Sequence, residues 1–253
     1  MSKCPGVPKP QMWIPKEYTQ KRKDWFVNNK YQPLCNYLKK NETQSMLFKD
    51  ARFINMVNNI LTVETNGLRV YFAAYPEAAS PDFPTGLESV ITLIFSPTIQ
   101  KAGKTFADRG DFYILNQDSD YQDISGKASA WINNYQSKQL KDVLNTLYPF
   151  SEGDTKSVWY EKKSIEELIA EMSCQEATGL RIYLASYTQD DDNTPKPYNI
   201  KTENLKRLIL QFSLTQGPGY SDFEIEDVAG WGQRPPKKIE GLDNGQLCPT
   251  YCP

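Results

Sequence analysis

The 253-residue chain has no histidine. That removes the commonest general base and imidazole metal ligand, and with them Ser-His-Asp triads and His-based zinc sites. Carboxylate, lysine or cysteine chemistry stays open. Neither charge dominates: 29 Lys and Arg face 31 Asp and Glu, for a net charge of −2. A nucleic-acid surface needs a basic stripe and a polybasic membrane signal needs clustered cations, so neither partner is expected. No run approaches the roughly 18 apolar residues of a membrane helix, and the first residues hold no apolar stretch for a signal peptide. The five cysteines are odd in number and scattered. Together these absences suggest a soluble, cytoplasmic protein with reduced thiols.

What the chain does contain is one nine-residue stretch twice. Gly67-Leu-Arg-Val-Tyr-Phe-Ala-Ala-Tyr75 returns as Gly179-Leu-Arg-Ile-Tyr-Leu-Ala-Ser-Tyr187, with a constant offset in numbering of 179 − 67 = 112. Residue types alternate with period two, as in a strand. The face with Leu68, Val70, Phe72 and Ala74 is apolar and has drifted to Leu180, Ile182, Leu184 and Ser186. The opposite face keeps every residue: Arg69, Tyr71, Ala73, Tyr75 and Arg181, Tyr183, Ala185, Tyr187. Arg guanidinium groups stacked on Tyr rings would explain that restraint. A paired site for a small anionic or aromatic ligand would explain it too. The candidates for a ligand or interface are therefore Arg69, Tyr71, Tyr75, Arg181, Tyr183 and Tyr187.

The same offset carries through the preceding helix. Phe53, Met56, Val57 and Ile60 match Ile165, Leu168, Ile169 and Met172, an amphipathic stripe in each copy. Ser164 and Glu167 read as a capping box that starts the second helix. Earlier helices are expected over 22–40, interrupted or restarted at Pro33, and over 127–147. Second strands are expected at 90–96 and 208–214, each forming an antiparallel hairpin with the repeated strand. The organisation is a Pro-rich N-terminal arm (1–21), a first α+β repeat (22–117), a linker (118–126), a second α+β repeat (127–228) and a Gly/Pro-rich tail (229–253) with little regular structure. The expected class is α+β, as two similar lobes related by a pseudo-twofold axis, each with helices on a small antiparallel sheet.

Local motifs add little chemistry. Ala102-Gly-Lys-Thr105 lacks the earlier glycine of a phosphate loop, since Thr98 stands there. Asp118, Asp120 and Asp123 lack the glycine and distal glutamate of a calcium loop. Cys248 and Cys252 are the only closely spaced thiols and are candidates for a disulfide. No metal site, cofactor or catalytic residue is nominated.

The helix, the Gly-Leu-Arg-Ile-Tyr strand, the second strand and the ending Asn244-Gly-Gln-Leu-Cys-Pro-Thr-Tyr-Cys252 together resemble a family of uncharacterised Bacteroidetes proteins, many of them one such unit long. This chain is similar to two units fused, with the Cys-Pro ending only after the second. The resemblance implies no activity and no catalytic residues. With no recognisable catalytic spacing and abundant aromatics, the expected function is non-enzymatic protein–protein interaction or assembly. The partner is the chain itself or another subunit. The alternative is a binding protein or enzyme that uses the Arg/Tyr faces.

Overall fold

A computed structural model describes residues 13–101, 104–115, 120–136, 138–147, 153–188, 205–223, 225–226, 238–242 and 246–248. The chain enters with β1 (Trp13–Pro15), α1 (Lys16–Phe26), one π-helical turn (Val27–Tyr31) and α2 (Gln32–Leu38). Helix α1 thus begins inside the stretch expected to be an extended arm. Pro15 lies just before the helix rather than within it, where it removes no intrahelical bond. Pro33 sits in the first turn of α2, directly after the π-helical turn.

Next come β2 (Ser45–Lys49), α3 (Arg52–Ile60), β3 (Thr65–Ala74), β4 (Ile91–Lys101), β5 (Lys104–Asp108), β6 (Tyr113–Leu115) and β7 (Tyr121–Asp123). The expected linker therefore contains a strand. The chain continues through α4 (Ala128–Gln136), α5 (Lys138–Leu147), β8 (Ser157–Glu161), α6 (Lys162–Cys174), β9 (Gly179–Ser186) and β10 (Leu208–Gln216). It closes with β11 (Ser221–Asp222), β12 (Ile225–Glu226), β13 (Lys238–Leu242) and β14 (Gln246–Cys248). The tail expected to lack regular structure thus supplies two strands. Helix α6 starts ahead of Ser164, at Lys162, and has no side-chain cap, so the capping box is not used.

The strands form two antiparallel sheets. One is ordered β1-β13-β10-β9-β2, with β11 beside β10 and β12 beside β13. The other is ordered β14-β8-β3-β4-β6-β7, with β5 beside β4. Each sheet draws strands from both of the expected repeats. Strand β2 pairs with β9, and β8 pairs with β3. The two ladders share one register. Ser45 faces Tyr183 and Ser157 faces Tyr71; Phe48 faces Leu180 and Tyr160 faces Leu68. Every pair of one ladder maps to a pair of the other by the repeat offset.

This exchange explains the repeated glycines. A Cβ on Gly67 would lie 2.5 Å from the Tyr160 carbonyl and from the Trp159 indole. On Gly179 it would lie 2.6 Å from the Phe48 carbonyl. The incoming strand passes too close for any side chain.

Helices α3 and α6 connect the sheets: α3 joins β2 of one to β3 of the other, and α6 joins β8 to β9. Their stripes face a common core, with Phe53, Met56, Val57, Ile60, Ile165, Leu168 and Met172 buried and Ile169 packed at its margin. Phe53 lies 6.2 Å from Phe95 of one sheet and 6.3 Å from Phe212 of the other, both edge-on. Such contacts add roughly 0.5–1.5 kcal/mol each beyond buried area. Among the described residues no helix is long and apolar enough to cross a membrane.

Candidate functional site

The two Arg/Tyr faces close on carboxylates that the offset did not reveal. The Tyr71 hydroxyl donates to Asp108 Oδ2, and Arg69 Nη1 lies 3.7 Å from the same oxygen. Arg69 Nη2 donates to the Phe106 carbonyl at 2.6 Å. In the second copy the Tyr183 hydroxyl donates to Asp222 Oδ2, Arg181 Nε donates to Asp222 Oδ1 at 2.9 Å, and Arg181 Nη2 donates to the Tyr220 carbonyl at 2.9 Å. Each guanidinium carbon lies 6.0 Å from the centroid of its Tyr ring. Burial, then the Asp108 charge, raises the Tyr71 phenol above its usual range. The arrangement pins a returning strand to the sheet: Arg takes a backbone carbonyl in that strand (Phe106) or just before it (Tyr220), and Tyr takes its Asp.

The remaining candidates lie deeper. Tyr75 is buried and stacks on Phe83 at 4.7 Å, with Trp131 edge-on at 5.3 Å and Thr92 donating to its hydroxyl at 3.2 Å. Burial raises its phenol. Tyr187 is buried beneath the Arg22 guanidinium of α1, 4.8 Å from the ring centroid. Lys23 sits 4.3 Å over the Tyr183 ring. Helix α1 thus covers this face of one sheet, as α4 covers the other through Ala128 and Trp131.

A second pair of acids also repeats. Glu42 Oε1 accepts from Thr43 N at 2.6 Å and Ile91 N at 2.7 Å. Asp154 Oδ1 accepts from Thr155 N at 2.7 Å and Leu208 N at 2.8 Å. Each carboxylate fixes the start of the second hairpin strand. Asp154 also holds the fully buried Lys30 ammonium. Burial lowers the Lys30 pKa, opposed by Asp154. Glu42 has no ion pair among the described residues, and its Oε2 is buried without a partner. Burial pushes Glu42 up to about 7, against the two N–H donors. The Glu42-Thr43 and Asp154-Thr155 dipeptides, again separated by the repeat offset, were the signal available in the sequence.

A cavity of about 620 Å³ opens beside β2. Thr43, Ser45, Met46, Phe48, Tyr75 and Ile91 are among the residues that line it. Tyr75 is the only one of the six Arg/Tyr candidates among its lining residues. Its one charged residue among the described lining, Asp82, is neutralised by Lys127 at 2.6 Å and bonded by Ser80 Oγ at 2.8 Å. The Lys127 contact, then Ser80, holds that carboxyl below its usual range. Among the described residues no cluster of His, Cys, Asp or Glu could hold a metal ion.

Cys35 is free, whereas Cys174 at the end of α6 is disulfide-bonded. The expected Cys248–Cys252 pairing lies outside the described residues. Compared with known proteins, the chain matches no family model, no curated relative and no solved structure.

Proposed function

We propose that the chain is a non-enzymatic assembly protein, a fused duplicate whose halves are related by an approximate twofold axis and which joins copies of itself through a sheet edge. The observation that carries this reading is the contrast among terminal strands. β1 has three residues and ends in Pro15, β7 has three and ends in Asp123, and β14 has three and is followed by Pro249. Short, charged or proline-bearing strands are how proteins blunt an edge. β2 is different: Ser-Met-Leu-Phe-Lys, five residues without proline, its sole charge at one end.

Among the described strands, β2 is paired on one side only. Leu184 N donates to Gln44 O, which makes residues 44 and 46 the hydrogen-bonded positions toward β9. Ser45 and Leu47 therefore turn their N–H and C=O groups to the other side. The Arg/Tyr faces, held internally by Asp108 and Asp222, support a structural role for those residues rather than ligand capture. The shared register of the exchanged strands supports descent from a homodimer with the same exchange. A single-unit relative that folded as a monomer, its hairpin on its own first strand, would contradict that descent. The Cys174 disulfide fits an oxidising compartment better than the cytoplasm expected from composition.

Light scattering of purified protein over a hundredfold concentration range tests the assembly reading. The expected result is a mass that rises with concentration. A constant monomer mass counts against it.

A further inference from the structure

We infer that the cavity beside β2 is an acceptor groove for the tail strand of a second copy, Gln246–Cys248, docked as β14 docks on β8. The inference rests on the assembly reading and names its contact. Its first support is positional. Ser157 and Trp159 of β8 face Cys248 and Gln246 of β14. Moved back by the repeat offset, those positions are Ser45 and Leu47 of β2, the two whose backbone groups point away from β9. Among the described strands the same edge is therefore filled in one half and open in the other.

The second support is the cavity itself. Val158 is registered against Leu247, and Ser157 against Cys248. Their counterparts, Met46 and Ser45, line the 620 Å³ space. That volume lies within the roughly 300–1,000 Å³ typical of recessed sites. Edge pairing supplies main-chain hydrogen bonds, and an adjoining cavity selects the side chains. The third support is charge. The ionic group among the described lining, Asp82, is already paired with Lys127, so the groove suits an uncharged strand, and Gln-Leu-Cys is one. A tail that leaves β8 for a neighbour's β2 exchanges one three-residue ladder for an equivalent one and gains the cavity. This is the low-cost logic of strand swapping.

The test is a complementation between two variants. Leu47→Pro removes an N–H that β9 does not use, at a type of position where edge strands tolerate proline. Leu47→Lys is the second acceptor variant should the proline perturb folding, as read by melting temperature. Deleting residues 246–253 removes the donor. Sedimentation should find each variant alone impaired, with association weakened about tenfold or more. An equimolar mixture of Leu47→Pro and the deletion should recover assembly, because one supplies the tail and the other the edge. Wild-type-like assembly by both Leu47 variants overturns the inference while leaving the assembly reading intact. If wild-type protein never assembles, the assembly reading fails. A synthetic peptide of residues 243–253 then decides the groove alone. Binding that is lost in Leu47→Lys supports it, and no binding at millimolar peptide overturns it.

Discussion

Glu42 and Asp154 stand 154 − 42 = 112 residues apart and make matching pairs of backbone contacts, yet their charges are handled differently. Asp154 is held against a buried ammonium; Glu42 has an orphaned oxygen. One acid sits against a buried lysine, and the other has no ion pair among the described residues and is pushed up to about 7 by burial. Equivalent backbone geometry can therefore coexist with opposite electrostatics, because the geometry needs only one acceptor oxygen from either acid.

The largest expected effect comes from breaking the ion pair. Lys30→Met leaves Asp154 buried and charged without its partner and should cost about 3–5 kcal/mol in urea unfolding. Adding Asp154→Asn should recover part of that loss. A cost near zero for Lys30→Met would mean that the two acids are not differently balanced.

Glu42 sharpens the comparison through pH. Its folded pKa of about 7 lies above its ordinary value of 4.5. Between those values the folded chain keeps a proton that the unfolded chain has released, so stability falls as pH rises. The contribution is fully present below about 4.5 and is lost above about 7. The difference amounts to about 3 kcal/mol. Glu42→Gln should flatten that slope in denaturation measured at pH 5 and pH 8; an unchanged slope would assign it elsewhere.

The exchanged strands give the next smaller effect. Gly67→Ala and Gly179→Ala should each cost about 1–3 kcal/mol, since the added methyl meets a carbonyl of the exchanged strand. Equal losses would indicate that the two crossings carry similar loads. The smallest change is Arg69→Lys or Arg181→Lys. Each gives up a planar fork and should cost about 1 kcal/mol of melting stability. A marked gain in either variant would argue against the pinning role.

The helical stripes and repeated strands were legible because a 3.6-residue or two-residue period survives in each. Strands β2 and β8 escaped reading: each is short and stands close to a helix, although Met46/Phe48 and Val158/Tyr160 alternate in burial as strands do. The strand exchange was hidden because neighbours in sequence are the default neighbours in space. Asp108 and Asp222 were hidden by loop length. Their separation in numbering is 222 − 108 = 114, so the offset of 112 misses them. The tail's glycines and prolines suggested irregularity. Its strands owe their form to the ladders that receive them, a tertiary effect that local sequence does not carry.

The central claim is that one edge is filled and its counterpart is open to a second copy. Amide hydrogen exchange at Trp159 and Leu47, measured in dilute and in concentrated protein, tests it most directly. Trp159 N–H, facing β14 when the tail rests on its own β8, should be protected in dilute protein and lose that protection in concentrated protein, as the tail moves to a neighbour. Leu47 N–H should exchange freely when dilute and become protected when concentrated. Protection of Leu47 in dilute protein, or free exchange in concentrated protein that has assembled, would contradict the account.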